Sequence, residues 1–157
     1  MTVAIDQAVP ADIRLPATGE QELALEDFRG RTVVLYFYPK DNTPGCTNES
    51  RDFAERLADF EAAGAVILGC SRDSVKSHEN FRSKQELPFD LLSDADERLC
   101  EAFDVIGMKN MYGKQVRGIE RSTFLIDADG VLRREWRKVK VPGHVDEVLA
   151  AVRELSG

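Results

Sequence analysis

The stretch RTVVLYFYPKDNTPGCT, residues 31–47, sets the fold class. Its first half, Arg31 to Tyr38, is β-branched and aromatic without polar alternation, as expected of a strand buried on both faces in a parallel sheet. Pro39 ends that run, because it offers no N–H to a ladder. Beyond Cys46, Phe53, Leu57 and Phe60 recur at helical spacing among charged residues, and Gly64 stands where a helix C-terminal cap belongs. The unit is strand, loop, helix.

Working outward, the same unit repeats. Ala65 to Cys70 reads as a second buried strand, and Asp73 or Ser74 can cap a helix running to about Gln85. Phe89 to Leu92 suits a short strand, and a helix follows from about Asp94 to Phe103 with Leu99, Cys100 and Phe103 facing inward. Ser122–Ile126 and Val131–Val139 straddle Asp127-Ala128-Asp129-Gly130, a hairpin signal. Val145, Val148, Leu149, Val152 and Leu155 line one face of a terminal helix. The expected architecture is α/β, a mixed central sheet flanked by helices, in one domain spanning residues 1–157.

The 157 residues are 43% hydrophobic and carry a formal net charge of −7, which argues against a sequence-independent nucleic-acid binder. The local basic run of Arg133, Arg134, Arg137, Lys138 and Lys140 alternates with Leu132, Trp136, Val139 and Val141, as on the solvated face of a strand. No window approaches the ~18 apolar residues of a membrane span, and no secretory signal is legible. A cytoplasmic protein is expected. Cys46, Cys70 and Cys100 are odd in number and widely spaced, which suits free thiols in a reducing compartment. With no CxxC pair and only His78 and His144, no zinc site is legible, and no metal is expected.

Cys46 falls where the loop after the first strong strand meets the next helix. Backbone N–H groups in a helix's first turn lack internal partners and carry the positive end of the dipole, so a thiolate there is stabilised. Pro39 and Pro44 stiffen the loop, Gly45 leaves the backbone N–H beside the sulfur open, and Thr43 offers a hydroxyl within one turn. Loops at the carboxyl ends of strands are also where open α/β sheets bind ligands.

These residues resemble those of the peroxiredoxins, within them the bacterioferritin comigratory protein or peroxiredoxin Q subgroup. Pro39, Thr43 and Cys46 stand at the spacing of that family's active-site motif, and Arg121, in Glu120-Arg121-Ser122-Thr123-Phe124-Leu125, matches the arginine the family places beside its reactive cysteine. The stretches Lys109–Lys114 and Trp136–Val141 are similar as well, so the resemblance spans nearly the whole chain. It implies a thioredoxin-like fold and reduction of hydrogen peroxide or organic hydroperoxides with no cofactor. Attack of the Cys46 thiolate on an O–O bond builds charge on two oxygens, for which Arg121, the Thr43 hydroxyl and the Cys46 N–H are suitable donors. The sulfur becomes a sulfenic acid that a thiol must rescue. Glu49, near the helix start, is expected to serve the dipole and stands outside the expected site.

The subgroup's second, resolving cysteine is missing from both of its usual places, which here hold Arg51 and, by alignment, Arg82 or a neighbour. Cys70 and Cys100 remain as candidates but read as core residues. The expected cycle is therefore one-cysteine, with thioredoxin, glutaredoxin or glutathione as reductant, in a monomer. Two other classes compete: a redox sensor or thiol relay built on Cys46 oxidation, and a cysteine hydrolase, which needs a histidine base. His78, in a charged helix, and His144, beside a turn, are both expected to be exposed.

Overall fold

The computed structural model describes residues 3–156. Its strands are β1 (Leu15–Ala17), β2 (Gln21–Leu23), β3 (Thr32–Phe37), β4 (Ala65–Ser71), β5 (Asp90–Ser93), β6 (Ile106–Met111), β7 (Lys114–Ile119), β8 (Ser122–Ile126) and β9 (Leu132–Trp136). Its α-helices are α1 (Pro44–Glu55), α2 (Leu57–Ala62), α3 (Val75–Gln85), α4 (Arg98–Ala102) and α5 (His144–Ser156). Seven strands form one mixed sheet in the order β2-β1-β5-β4-β3-β8-β9. The β3–β4 and β4–β5 pairs are parallel, and β8 runs antiparallel to β3 and β9.

The central strand β3 divides the molecule. Side chains alternate across a strand, so Val33, Leu35 and Phe37 enter one core, with Cys70, Leu99, Cys100, Phe103 and Phe124. Val34, Tyr36 and Tyr38 enter the other, with Cys46, Phe53, Phe60, Phe81 and the inner face of α5. Both faces are covered, which is why the strand reads as a continuous apolar run. The sheet face is closely packed at Gly69 on β4, where a Cβ would lie 2.7 Å from Leu91 Cδ2 and 2.9 Å from the Tyr36 ring. The basic run behaves as a solvated surface. Arg133 pairs with Asp6 and Asp127, and Arg134 stacks over the Trp136 ring.

Several boundaries differ from the sequence expectation for local reasons. The helix carrying Phe53, Leu57 and Phe60 is broken at Arg56 (φ −102°, ψ 4°), which turns α1 into α2 while keeping the Phe53 and Phe60 rings 5.9 Å apart in one core. The helix expected from Asp94 starts at Arg98, because Glu97 is left-handed (φ 62°) and the Asp94 carboxylate accepts the Cys100 N–H at 2.7 Å. Ser74 is the cap of α3, its hydroxyl accepting from the Ser77 N–H. Strands β1 and β2 and the β6–β7 ribbon lack apolar alternation and were not legible. The ribbon closes through Tyr112 and Gly113, both at positive φ, as a two-residue hairpin turn requires.

Candidate active site

Helix α1 begins with Thr43 as its N-cap and Pro44 at the first helical position. Cys46 is therefore in the first turn. The Thr47 N–H donates to the Thr43 carbonyl at 2.9 Å, so the N–H groups of Gly45 and Cys46 precede the helix ladder and face the anion-favouring end of the dipole. The thiol is 1% exposed, at the floor of the site rather than on the surface.

Arg121 reaches it from 75 residues away. Its Nη2 donates to Cys46 Sγ at 3.3 Å and its Nη1 to Glu49 Oε1 at 2.7 Å. The backbone of Arg121 is fixed where β8 begins: its carbonyl accepts the Val139 N–H at 3.0 Å, and the adjacent Glu120 N–H donates to Val105 at 2.7 Å. The Trp136–Val141 stretch therefore backs the arginine. Gly45 has a reason the sequence did not reveal. A Cβ there would lie 3.1 Å from Arg121 Nη2, so glycine makes room for the guanidinium.

Thr43 and Pro39 lie in the same loop. Pro39 is half-buried, two residues past the end of β3. The Thr43 hydroxyl donates to the Lys40 carbonyl at 2.8 Å, which alters the expected role: its proton is committed, and its lone pairs are what it offers. Glu49 also departs from expectation. It is not a surface partner of the dipole but fully buried, with Oε1 on Arg121 and Oε2 without a protein partner. Burial raises its pKa from 4.5 to about 7, against the opposing pull of Arg121. Helical spacing was the available signal, since Glu49 and Phe53 lie four apart on the inward face of α1.

Both histidines are buried, contrary to expectation. His144 is 4% exposed, its Nε2 lies 2.8 Å from Thr123 Oγ1, and Phe53 and Trp136 meet its ring edge-on. Burial pushes its pKa down from 6.5 to about 4, so it is neutral at pH 7. His78 is 0% exposed and pairs with Asp41. Among the described residues, the side-chain donor to Cys46 Sγ is Arg121 and not a histidine, which leaves the hydrolase reading without its base.

Cys70 and Cys100 belong to the core on the opposite face of the sheet from Cys46. Both are 0% exposed. Burial, together with the adjacent Cys100, pushes the Cys70 thiol well above its ordinary range, so it stays protonated. The sheet itself separates these thiols from the site.

A thiol at a helix N-terminus, gripped by an arginine at the amino end of β8, is an arrangement suited to thiol-based redox chemistry. The AhpC/TSA family matches residues 5–135, and the chain belongs to this family, the peroxiredoxins. Within it, the chain is 58% identical over 146 residues to peroxiredoxin Bcp of Xanthomonas campestris pv. campestris, covering 93% of this chain and 91% of the relative. Among solved structures, a cysteine-to-serine variant of Xylella fastidiosa PrxQ superposes with a TM-score of 0.94 at 46% identity, covering 99% of this chain and 98% of that one. The Xanthomonas campestris bacterioferritin comigratory protein, described for its alkyl peroxide reduction activity in trapped intermediate and ligand complexes, matches with a TM-score of 0.90 at 53% identity, covering 96% and 100%. The fold is thioredoxin-like, and the chain is a thiol-dependent peroxidase of the Bcp and peroxiredoxin Q kind.

Proposed function

We propose that the chain reduces hydrogen peroxide and organic hydroperoxides by a one-cysteine cycle in which Cys46 is the attacking thiol and an external thiol regenerates it. The observation that carries this reading is the Arg121 fork, one arm on Cys46 Sγ at 3.3 Å and the other on buried Glu49 at 2.7 Å. The Cys46 thiolate attacks one peroxide oxygen. The S–O bond forms as the O–O bond breaks, and the leaving oxygen takes a proton to become water or an alcohol. Arg121 and the N–H at the start of α1 meet the developing negative charge. Thr43, its own proton held by Lys40, accepts the O–H of the hydroperoxide and aligns the O–O bond with the sulfur. Pro39 shapes the loop that holds Thr43.

The resulting sulfenic acid is attacked by an external thiol, releasing water and leaving a mixed disulfide, which a second thiol opens. Glutathione, glutaredoxin or thioredoxin fits this role. Support comes from the sheet that stands between Cys46 and the other two cysteines. A monomer in the cytoplasm is the proposed state, in keeping with the expected reducing compartment. No helix among the described residues is long and apolar enough to cross a membrane.

Mass spectrometry after one equivalent of peroxide, followed by steady-state turnover with each reductant, tests the cycle. A sulfenic or mixed-disulfide adduct on Cys46 is expected, and Cys46→Ser is expected to be inactive. An internal disulfide to Cys70 or Cys100 would replace the one-cysteine cycle. Rapid Cys46 oxidation without turnover under any thiol donor would instead favour a redox sensor.

A further inference from the structure

Asp41, in the loop that carries Thr43 and leads into the helix bearing Cys46, is 4% exposed and is held from several sides. The Tyr38 hydroxyl donates to its Oδ1 at 2.6 Å and the Ser77 hydroxyl to its Oδ2 at 2.8 Å. Its backbone N–H donates to Asp73 Oδ2 at 2.9 Å, and that carboxylate also takes the Ser71 hydroxyl at 2.6 Å. His78 Nδ1 lies 2.7 Å from Asp41 Oδ2, while His78 Nε2 lies 2.8 Å from the Leu92 carbonyl.

The donors and acceptors can be counted. A carbonyl only accepts, so Nε2 carries a proton. The Asp41 carboxylate already accepts two hydroxyls, so the short contact to Nδ1 must hold a further proton. His78 and Asp41 thus share a proton in a buried, charge-assisted pair, the strong class of hydrogen bond. The His78 ring is a strut: one nitrogen rests on β5, and the other holds the active-site loop from α3.

The strut leads to the reacting atoms. Asp41 follows Lys40 directly, and the Lys40 carbonyl takes the Thr43 hydroxyl proton at 2.8 Å. Asn42, between Asp41 and Thr43, is left-handed (φ 63°), a conformation that needs support from its surroundings. We propose that His78, acting through Asp41 and the Lys40 carbonyl, is the positioning residue that aims the Thr43 hydroxyl at the hydroperoxide. The inference rests on the reading of Cys46 as the peroxide-attacking thiol.

Two substitutions at one position separate positioning from mere structure. A glutamine amide nitrogen occupies roughly the place of Nε2 and an asparagine amide nitrogen that of Nδ1. His78→Gln therefore keeps the bond to Leu92 and loses Asp41, whereas His78→Asn keeps Asp41 and loses Leu92. The readout is the second-order rate of Cys46 oxidation by hydrogen peroxide, from rapid quench and mass spectrometry, beside the urea midpoint of each variant. His78→Gln is expected to slow oxidation by about tenfold or more, as loss of transition-state alignment does, and His78→Asn to recover most of the rate even where both lower the midpoint alike. In a Thr43→Val background, His78→Gln is expected to add little further loss, since the two residues act through one hydroxyl.

Equal rates for the two His78 variants, or an undiminished effect of His78→Gln without the Thr43 hydroxyl, would overturn the proposal. If His78→Gln does not fold, Tyr38→Phe removes one hydroxyl from Asp41 and leaves the ring packed. It is then expected to slow oxidation in the wild-type background and not in Thr43→Val, and no slowing overturns the proposal. Slow oxidation of the unmodified protein would sink the peroxidase reading itself, so the two failures are distinguishable.

Discussion

Glu49→Gln is expected to change the pH dependence of stability in a way that can be worked out from two buried groups. Glu49 has its pKa raised from 4.5 to about 7 by burial. Its contribution is fully present below about pH 4.5 and is lost as pH rises to 7, a loss of about 3 kcal/mol at 1.36 kcal/mol for each tenfold change in proton affinity. His144 is opposite in sign. Its pKa is lowered from 6.5 to about 4, so its contribution is fully present above pH 6.5 and is lost as pH falls to 4, again about 3 kcal/mol. In the intact protein the two slopes largely cancel between pH 4.5 and 6.5. Glu49→Gln keeps an oxygen for Arg121 Nη1 and removes the titration, so the His144 slope is unmasked: stability rises by about 3 kcal/mol from pH 4 to 6.5. The assay is urea unfolding at half-unit steps from pH 4 to 8 on both proteins. All other groups, and any pH-independent cost of the substitution, drop out of the change in their difference. Parallel curves for the two proteins would refute the buried, perturbed state of Glu49.

Other outcomes follow from the same geometry. Arg121→Ala removes a charged donor from the developing oxyanion and should lower the rate of Cys46 oxidation by about 10²–10³-fold, measured by rapid quench. Cys70→Ala and Cys100→Ala, on the far side of the sheet, should leave thiol-dependent turnover unchanged in a coupled peroxidase assay. Gly69→Ala would drive a Cβ against the Tyr36 ring and Leu91, and should destabilise the fold by about 1–3 kcal/mol in urea unfolding.

The pattern of residues 31–64 determined a great deal by itself. A continuous apolar run is compatible with a strand covered on both faces, Pro39 and Gly64 punctuate it, and Thr43-Pro44 starts a helix at a position that puts Cys46 in its first turn. These are local matters of backbone torsion and period, and β3 and α1 follow them. The long-range contacts were decided only by the tertiary structure. Arg121 meets Cys46 because β8 pairs antiparallel with β3, a register that neither strand specifies alone. The two histidines and Glu49 looked like surface residues because sequence periodicity records polarity, whereas burial of a polar group depends on finding partners far along the chain. His78 finds Asp41 across 37 residues and His144 finds Thr123 across 21. The placement of Cys70 and Cys100 is the clearest division. Sequence left both as core-like candidates for the resolving role, and only the alternation of β3 between two cores put the whole sheet between them and Cys46.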